Sequence, residues 1–325
     1  MNVLKIILPV LVMIGLGISC RKWKFLSKTG INDMKFLVTN IMLPVAIFHA
    51  LATADYNLET GKLVLIMFLM LLISFGIGFL LKPLMTGVYQ KYLPFMVSVY
   101  EGGLMAYPLY TSLCGQENLS QIAVLDIAGL LFGFSIYMGM LGQTENGEKI
   151  NAKSLALSAV KTPAFIASVL VMMVAALLPL LIGSSVGPEA GLTGIIRCLL
   201  ESSWGNVYLS VENILTTSVT AIILIVVGYS FELTPELLSP CIRTILLRTA
   251  LQAVMIAGVL FTVHSFVENN KLLDLAVISY MSAPATFSMQ TFLKKEESSA
   301  YVSTTNSMYC VVSILVYMVL AFTVS

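Results

Sequence analysis

Two apolar segments of this chain are each interrupted by residues that are poorly suited to a lipid-facing helix. The first interruption, Tyr100–Pro108, contains a glutamate, two glycines and a proline, and the second, Ser279–Ala285, contains Ser282 and Pro284. Proline removes a backbone donor and paired glycines weaken the helical ladder. Irregular backbone is tolerated at membrane depth only inside protein or beside a water-filled cavity. A matched pair of such interruptions indicates a transporter binding site.

Glu101 is the leading candidate for a coupling residue, because a charged side chain at the bilayer centre costs at least about 2.5 kcal/mol and is functional by default. A protonated glutamate bonded to a neighbouring helix is the structural alternative. Asp126, within Ile122–Leu131, is either a second coupling carboxylate or a structural partner for an amide of the broken helix. Na⁺ and H⁺ both stay open as the coupling ion, and no other cofactor is expected.

The remaining site residues follow from the two interruptions. If the two interruptions meet, the N-termini of the half-helices would offer amide donors and positive dipole ends to an anionic substrate. The alternative is that each interruption is a simple proline kink without a binding role. Asn306 begins the last apolar segment beside several hydroxyl residues, which are more often packing contacts between membrane helices. The candidate substrate-binding residues are Gly102, Gly103, Tyr107, Pro108, Ser282, Ala283, Pro284 and Asn306.

Composition sets the class of protein. The 325 residues are 58% hydrophobic and only 11% charged, with a mean hydropathy of +0.92, whereas soluble domains carry about 25% charged residues. Leu63–Leu81 and Ser210–Val227 are almost continuously apolar, which favours membrane helices over the alternating strands of a barrel. The 18 Lys and Arg balance 17 Asp and Glu, so no nucleic-acid surface is indicated. No catalytic or phosphate-loop motif is present, and we expect a protein that is not an enzyme.

Ten segments are long enough to span a bilayer, which takes about 20 apolar residues. A polar segment after the fifth span divides them into two sets of five, and an odd number per set forces the second set to enter the membrane inverted. The sequence therefore predicts an all-α integral membrane protein with ten transmembrane helices in a 5+5 inverted repeat, in which helices 4 and 9 are broken. The spans are Val3–Ser19, Phe36–Ala54, Leu63–Leu81, Tyr92–Cys114, Leu119–Leu141, Thr162–Ile182, Tyr208–Ser230, Ile242–Val267, Leu272–Leu293 and Ala300–Val324.

The predicted organisation is a first repeat at 1–141, a cytoplasmic linker at 142–155 and a second repeat at 156–325, with an extracellular loop or interfacial helix at 183–207. Placing the N-terminus outside puts 14 of the 18 Lys and Arg on the inner side, as cytoplasmic loops require. Both termini should then be extracytoplasmic in a multi-pass protein of the cell inner (plasma) membrane. Met1–Cys20 also resembles a lipoprotein signal, but the basic residues after it favour a retained first span.

The order and spacing of several motifs resemble the auxin efflux carrier family, whose bacterial members are often called malate permeases. The resemblance covers essentially the whole chain, although each motif alone is weak. One departure is Glu101, where the family commonly has an asparagine, and another is Ala106 in place of a frequent glycine. The matching segments are Leu43–Phe48 in span two, Thr162–Ile166 in span six, Gly228, Pro284 and Ser303–Thr305.

The resemblance implies that the broken helices 4 and 9 cross. It also implies a secondary transporter of a small organic anion, in which spans one, two, six and seven form a scaffold and the others move. The expected partners are the anion and the lipid bilayer, and the scaffold helices could pair two protomers in a homodimer. A sensor that binds the anion without moving it is the alternative from another class. The bile-acid/sodium symporter family has a similar crossing, so sodium coupling is a further alternative.

Overall fold

The computed structural model of the protein describes most of the chain outside its central part. Within the described residues the chain is 88% helical and has no strands. The predicted span Thr162–Ile182, most of the linker at 142–155 and most of the predicted loop at 183–207 lie outside the described residues. The described residues are 3–52, 58–146, 203–231, 234–268, 270–287, 289, 293 and 295–324.

Twelve α-helices are found in these ranges, and three short π-helical stretches widen the helical path between some of them. The helices are α1 Val3–Lys22, α2 Lys28–Leu37, α3 Leu43–Ala52, α4 Leu58–Leu81, α5 Tyr89–Ser98, α6 Tyr107–Cys114, α7 Leu119–Phe132, α8 Met138–Asn146, α9 Ser203–Tyr229, α10 Leu238–Val263, α11 Lys271–Met281 and α12 Glu296–Val324. The π-helical stretches are Val38–Met42, Gly102–Ala106 and Gly133–Tyr137.

Four helical segments in the described part of the chain are long and apolar enough to cross a membrane. They are Glu59–Leu84, Gly205–Tyr229, Pro235–Val263 and Glu296–Val324, and they correspond to predicted spans three, seven, eight and ten. The prediction of a helical protein with membrane-spanning segments is confirmed at this level.

The fifth predicted span continues beyond its expected end. The predicted span ends at Leu141, where the apolar run gives way to polar residues, whereas the helix α8 continues to Asn146. Two contacts hold this polar end: the Thr144 hydroxyl donates to the Met140 carbonyl at 2.8 Å, and the Tyr92 hydroxyl donates to the Glu145 carboxylate. Loss of apolar character marks the edge of a span, not the end of its helix.

Helix α1 packs most extensively against α9, and two glycines allow this close approach. A Cβ atom on Gly17 would lie 2.1 Å from the Ile225 carbonyl oxygen, and one on Gly228 would lie 2.0 Å from the Ile14 carbonyl oxygen. Small residues at facing positions let membrane helices approach to backbone contact. α9 also contacts α3, so these helices form one group.

A second group is built around α4, α5 and α7, with α10, α11 and α12 packed against it. At its centre the rings of Phe75, Phe95 and Phe132 meet at centroid distances of 5.4 and 5.6 Å from Phe75, with Tyr137 5.2 Å from Phe95. These edge-on aromatic contacts fix α5 and α7 against α4. The interrupted segments that follow α5 and α11 are thereby held inside protein.

Candidate functional site

The chain leaves helical conformation at both interruptions, and the two interruptions touch. After α5 the backbone of Val99 and Glu101 is extended, and after α11 the helix ends at Met281. The Glu101 amide donates a hydrogen bond to the Pro284 carbonyl at 2.8 Å. One interruption therefore supplies a partner for a backbone group that the other leaves free. This contact between the two interruptions, residues 99–108 and 281–287, is here called the crossing.

The Glu101 carboxylate is held by donors from both segments. Its Oε1 accepts from the Leu104 amide at 3.2 Å, so the side chain caps the helical stretch that begins at Gly102. Its Oε2 accepts from the Phe287 amide at 2.7 Å and from the Thr286 hydroxyl at 3.3 Å. A negative charge is favoured at a helix N-terminus, and here one carboxylate occupies the amide donors that the sequence assigned to a substrate.

Asp126 joins the same two segments through a pair of tyrosines. The Tyr107 hydroxyl donates to Oδ2 and the Tyr280 hydroxyl donates to Oδ1, both at 2.7 Å. Two glycines make room for the carboxylate: a Cβ atom on Gly102 would lie 2.5 Å from Oδ2, and one on Gly129 would lie 3.0 Å from Oδ1. The structural partner of Asp126 is thus a hydroxyl pair, not the broken-helix amide considered from the sequence.

Arg248 is the functional candidate that the sequence analysis missed. It lies in the middle of α10, is 1% exposed, and its guanidinium donates to the carbonyl oxygens of Met96, Val99 (3.0 Å) and Ala283 (2.7 Å). Arg248 is one of the 14 basic residues that the predicted orientation places on the inner side. In the structure its guanidinium satisfies carbonyls at the ends of α5 and α11 and is shielded from water.

Polar residues at every fourth position of α10 are a sequence signal for this buried role of Arg248. Thr244, Arg248 and Gln252 occupy one face of α10 and all three are buried, as residues at i and i+4 share a helix face. The Gln252 amide donates to the Val97 carbonyl at 2.7 Å and its oxygen accepts from the Tyr100 hydroxyl at 2.6 Å. A polar stripe at this spacing within an apolar helix indicates a buried polar surface to be satisfied.

The other predicted site residues take different positions relative to the crossing. The side-chain amide of Asn306 donates to the Ala285 carbonyl at 3.0 Å, and the Ser282 carbonyl accepts from the Ser313 hydroxyl at 2.6 Å. Pro108 lies beyond the break, in the first turn of α6, where a proline leaves no amide unsatisfied. The first interruption therefore occurs at residues 99–101 instead of at its proline.

A cavity of about 420 Å³, here called the basic cavity, lies between the two helix groups. It reaches Leu104 and Phe287, whose amides hold Glu101, and it also contacts Asn306. Its lining residues are Arg21, Lys28, Ile31, Asn32, Lys35, Leu104, Val226, Val227, Tyr229, Ser230, Phe231, Phe287, Ser303, Asn306, Ser307 and Cys310. Among the described residues of this lining, the charged members are all basic, and they are grouped around the end of α1 and along α2.

A second cavity of about 440 Å³, here called the acidic cavity, lies toward the other end of α9. It is lined by Glu117 and Glu212 and by His49, with several hydroxyl and amide side chains of α9. The two cavities are separated along α9 by the segment from Thr220 to Val226, about 9 Å of helix, in which Ile223 is fully buried. The Thr220 and Thr111 hydroxyl oxygens are 3.5 Å apart at the edge of this wall.

Comparisons with protein-family models and with curated proteins gave no match to this chain. Among the described residues, no group of three or more His, Cys, Asp and Glu side chains is arranged to hold a metal ion.

Proposed function

We propose that this protein is a secondary transporter of a small organic anion, such as a carboxylate, which works by alternating access and is coupled to H⁺ or Na⁺ through Glu101. The observation that carries the proposal is the basic cavity, which is lined both by basic side chains and by the two residues whose amides hold Glu101. Positive charge lining a cavity raises the local concentration of anions.

The Glu101 carboxylate and an incoming anion would compete for the same donors. Leu104 and Phe287 line the basic cavity, and their amides already bond Glu101. A protonated Glu101 accepts hydrogen bonds more weakly and carries no charge, so amide donors become accessible to a substrate carboxylate. Substrate binding and protonation of Glu101 are then linked, which is the requirement for coupling a gradient to transport.

Alternating access is supported by the placement of the cavities. The basic cavity contacts the C-terminal part of α9 and the acidic cavity contacts its middle, from Glu212 to Thr220. A relative movement of the helix groups that closed one cavity and opened the wall near Ile223 would expose the crossing to the other side. The ten-helix, 5+5 inverted arrangement is part of this proposal, as is a basic cavity that opens to the cytoplasm.

Transport assays in proteoliposomes test the proposal. A thermal-shift screen of organic acids selects a ligand, and labelled ligand is then followed during counterflow and during uptake driven by an imposed gradient. For wild-type protein we expect both activities. Absence of counterflow for every acid that binds would refute transport and favour the alternative function, a sensor that binds the anion without moving it.

The matched variants separate coupling from general damage. Glu101→Gln imitates the protonated side chain, so we expect counterflow to persist while gradient-driven accumulation is lost. Glu236→Gln, at an exposed position, is the control and should retain both. Accumulation by Glu101→Gln equal to that of wild type would show that Glu101 is not the coupling residue.

The basic cavity has its own pair of variants. Lys28 lines the cavity, whereas Lys24 lies four residues earlier at an exposed position outside the lining. Lys28→Gln should raise the ligand concentration for half-maximal uptake several-fold, and Lys24→Gln should leave it unchanged. An equal effect of both substitutions would indicate a general surface charge effect instead of a cavity site.

A further inference from the structure

The guanidinium of Arg248 is surrounded by groups that stabilise a cation. Three backbone carbonyls accept its hydrogen bonds, and its central carbon lies 4.8 Å from the ring centroid of Tyr309 and 5.4 Å from that of Tyr100. Carbonyl dipoles and the faces of aromatic rings both attract positive charge. Within the described chain, Arg248 forms no ion pair with Glu101 or Asp126. Its charge is balanced by backbone dipoles and rings.

These carbonyls come from the ends of both helices that lead into the crossing. Met96 and Val99 lie in the last turn of α5 and just after it, and Ala283 follows the end of α11. In transporters with interrupted helices, carbonyls of unwound backbone and of half-helix C-termini are the groups that coordinate Na⁺. The position that a coupling Na⁺ would need is thus occupied by a side chain of the protein.

The two buried carboxylates offer no replacement for these carbonyls. Both oxygens of Asp126 accept tyrosine hydroxyls, and both oxygens of Glu101 accept amides, with one also accepting a hydroxyl. A metal cation next to these oxygens would face the hydrogens of these donors and would have to share each oxygen with one or two of them. Asn306 Oδ1 is a buried oxygen near the crossing that has no hydrogen-bond partner among the described residues, but a single amide oxygen does not replace three carbonyls.

We infer that Arg248 is a built-in cation that takes the place of sodium, so that no Na⁺ binds at the crossing and the transport cycle is independent of sodium. An arginine stays protonated in proteins, and therefore its charge cannot be released during the cycle. This inference rests on the proposed function, because it assumes a coupled transporter and excludes sodium as the coupling ion. Among the described residues, Glu101 is the carboxylate whose hydrogen-bond donors line the basic cavity, which assigns the coupling role to protons.

Thermal unfolding of purified protein tests the occupied cation position without any transport assay. The melting temperature of wild type should be the same in sodium, potassium and choline chloride at equal ionic strength. Arg248→Ala should melt at a lower temperature, and methylguanidinium should raise its melting temperature while leaving wild type unchanged. Arg243→Ala is the control, because Arg243 lies on the same helix but is exposed; it should resemble wild type in all conditions.

Two results would overturn the inference. One is a melting temperature of wild type that rises specifically with Na⁺, and the other is an Arg248→Ala variant that folds but responds to methylguanidinium no more than Arg243→Ala does. If Arg248→Ala does not fold, Arg248→Lys replaces it. Lysine keeps the charge but lacks the fork of donors, so that variant should fold, melt lower than wild type and stay insensitive to Na⁺; a response to Na⁺ would count against the inference.

Uptake measurements distinguish this inference from the proposed function. Gradient-driven uptake by wild type in sodium-free medium supports both. Uptake that requires Na⁺ would refute the inference and leave the transporter proposal intact. Absence of counterflow for every acid that binds would refute the transporter proposal, and the melting experiments would still decide whether Arg248 fills a cation position.

Discussion

Replacement of Gly129 by alanine tests the contact between Asp126 and Tyr280 that joins the two interrupted segments. The new Cβ atom would lie 2.0 Å from the Tyr280 hydroxyl oxygen and 3.0 Å from Asp126 Oδ1. Contact at 2.0 Å is impossible, so the tyrosine must move and release its hydrogen bond to the carboxylate. A hydrogen bond to a charged group contributes about 1.5–3 kcal/mol, and overpacking a buried site costs about 1–3 kcal/mol.

The intrinsic helix preference acts in the opposite direction, because alanine is favoured over glycine in a helix by about 1 kcal/mol. The net expectation for Gly129→Ala is a loss of roughly 2–5 kcal/mol of unfolding free energy. Gly142→Ala is the matched control: Gly142 lies in α8, and its Cβ atom would have no neighbour within 4 Å. That variant should be as stable as wild type or slightly more stable.

A double-mutant cycle isolates the cause. In a Tyr280→Phe background the hydroxyl is absent, and the nearest ring atom, Cζ, would be 3.4 Å from the new Cβ atom. The cost of Gly129→Ala should then fall by at least about 1 kcal/mol, a coupling typical of residues in direct contact. Unfolding of each purified variant in mixed micelles measures the four free energies. An unchanged cost in the phenylalanine background would refute the contact between the Gly129 position and the Tyr280 hydroxyl.

Three further substitutions examine other contacts by the same unfolding measurement. Asp126→Ala leaves two buried hydroxyls without their acceptor and should lower the unfolding free energy by about 2–6 kcal/mol. Asp126→Asn keeps one acceptor oxygen and should lower it less. A larger loss for Asp126→Asn than for Asp126→Ala would contradict the pair of hydroxyl contacts. Gly228→Ala should lose about 1–3 kcal/mol because its Cβ atom would meet a carbonyl of α1, whereas Gly15→Ala, with open space around it, should not. Asn270→Ala removes the cap that accepts two amides of α11 and should cost about 1 kcal/mol, with faster hydrogen exchange in its first turn; unchanged exchange would contradict the cap.

Local sequence signals predicted where the chain is interrupted. Two glycines after Glu101 and a proline at 284 disfavour helix through properties of those residues alone, and the interruptions occur beside them. The location of the first break within its segment was not predicted, because Pro108 fits the first turn of α6 and the extended residues precede the glycines. A proline marks a probable boundary, but the side of the boundary depends on which amide the fold leaves unpaired.

The partners of the buried charges were beyond a reading of the sequence. Asp126 is held by Tyr107 and Tyr280, which come from different parts of the chain, and no spacing rule connects them. Arg248 looked like a residue at a membrane edge because an arginine near the start of an apolar run often lies at the interface. Its role depends on carbonyls freed by two other helices, which are visible only after the helices are packed.

In the proposed transport cycle, one of the charges at the crossing must change. Arg248 lies at the C-terminal ends of α5 and α11, and Glu101 lies at the start of the helical stretch that follows the first break. Each charge has the sign that the adjacent helix end favours, so the empty crossing is already satisfied electrostatically. An anion entering the basic cavity gains no amide donor unless Glu101 releases one. Because Arg248 stays charged and the Asp126 oxygens are held by two hydroxyls, Glu101 is the group at which binding of the anion and uptake of a proton would meet.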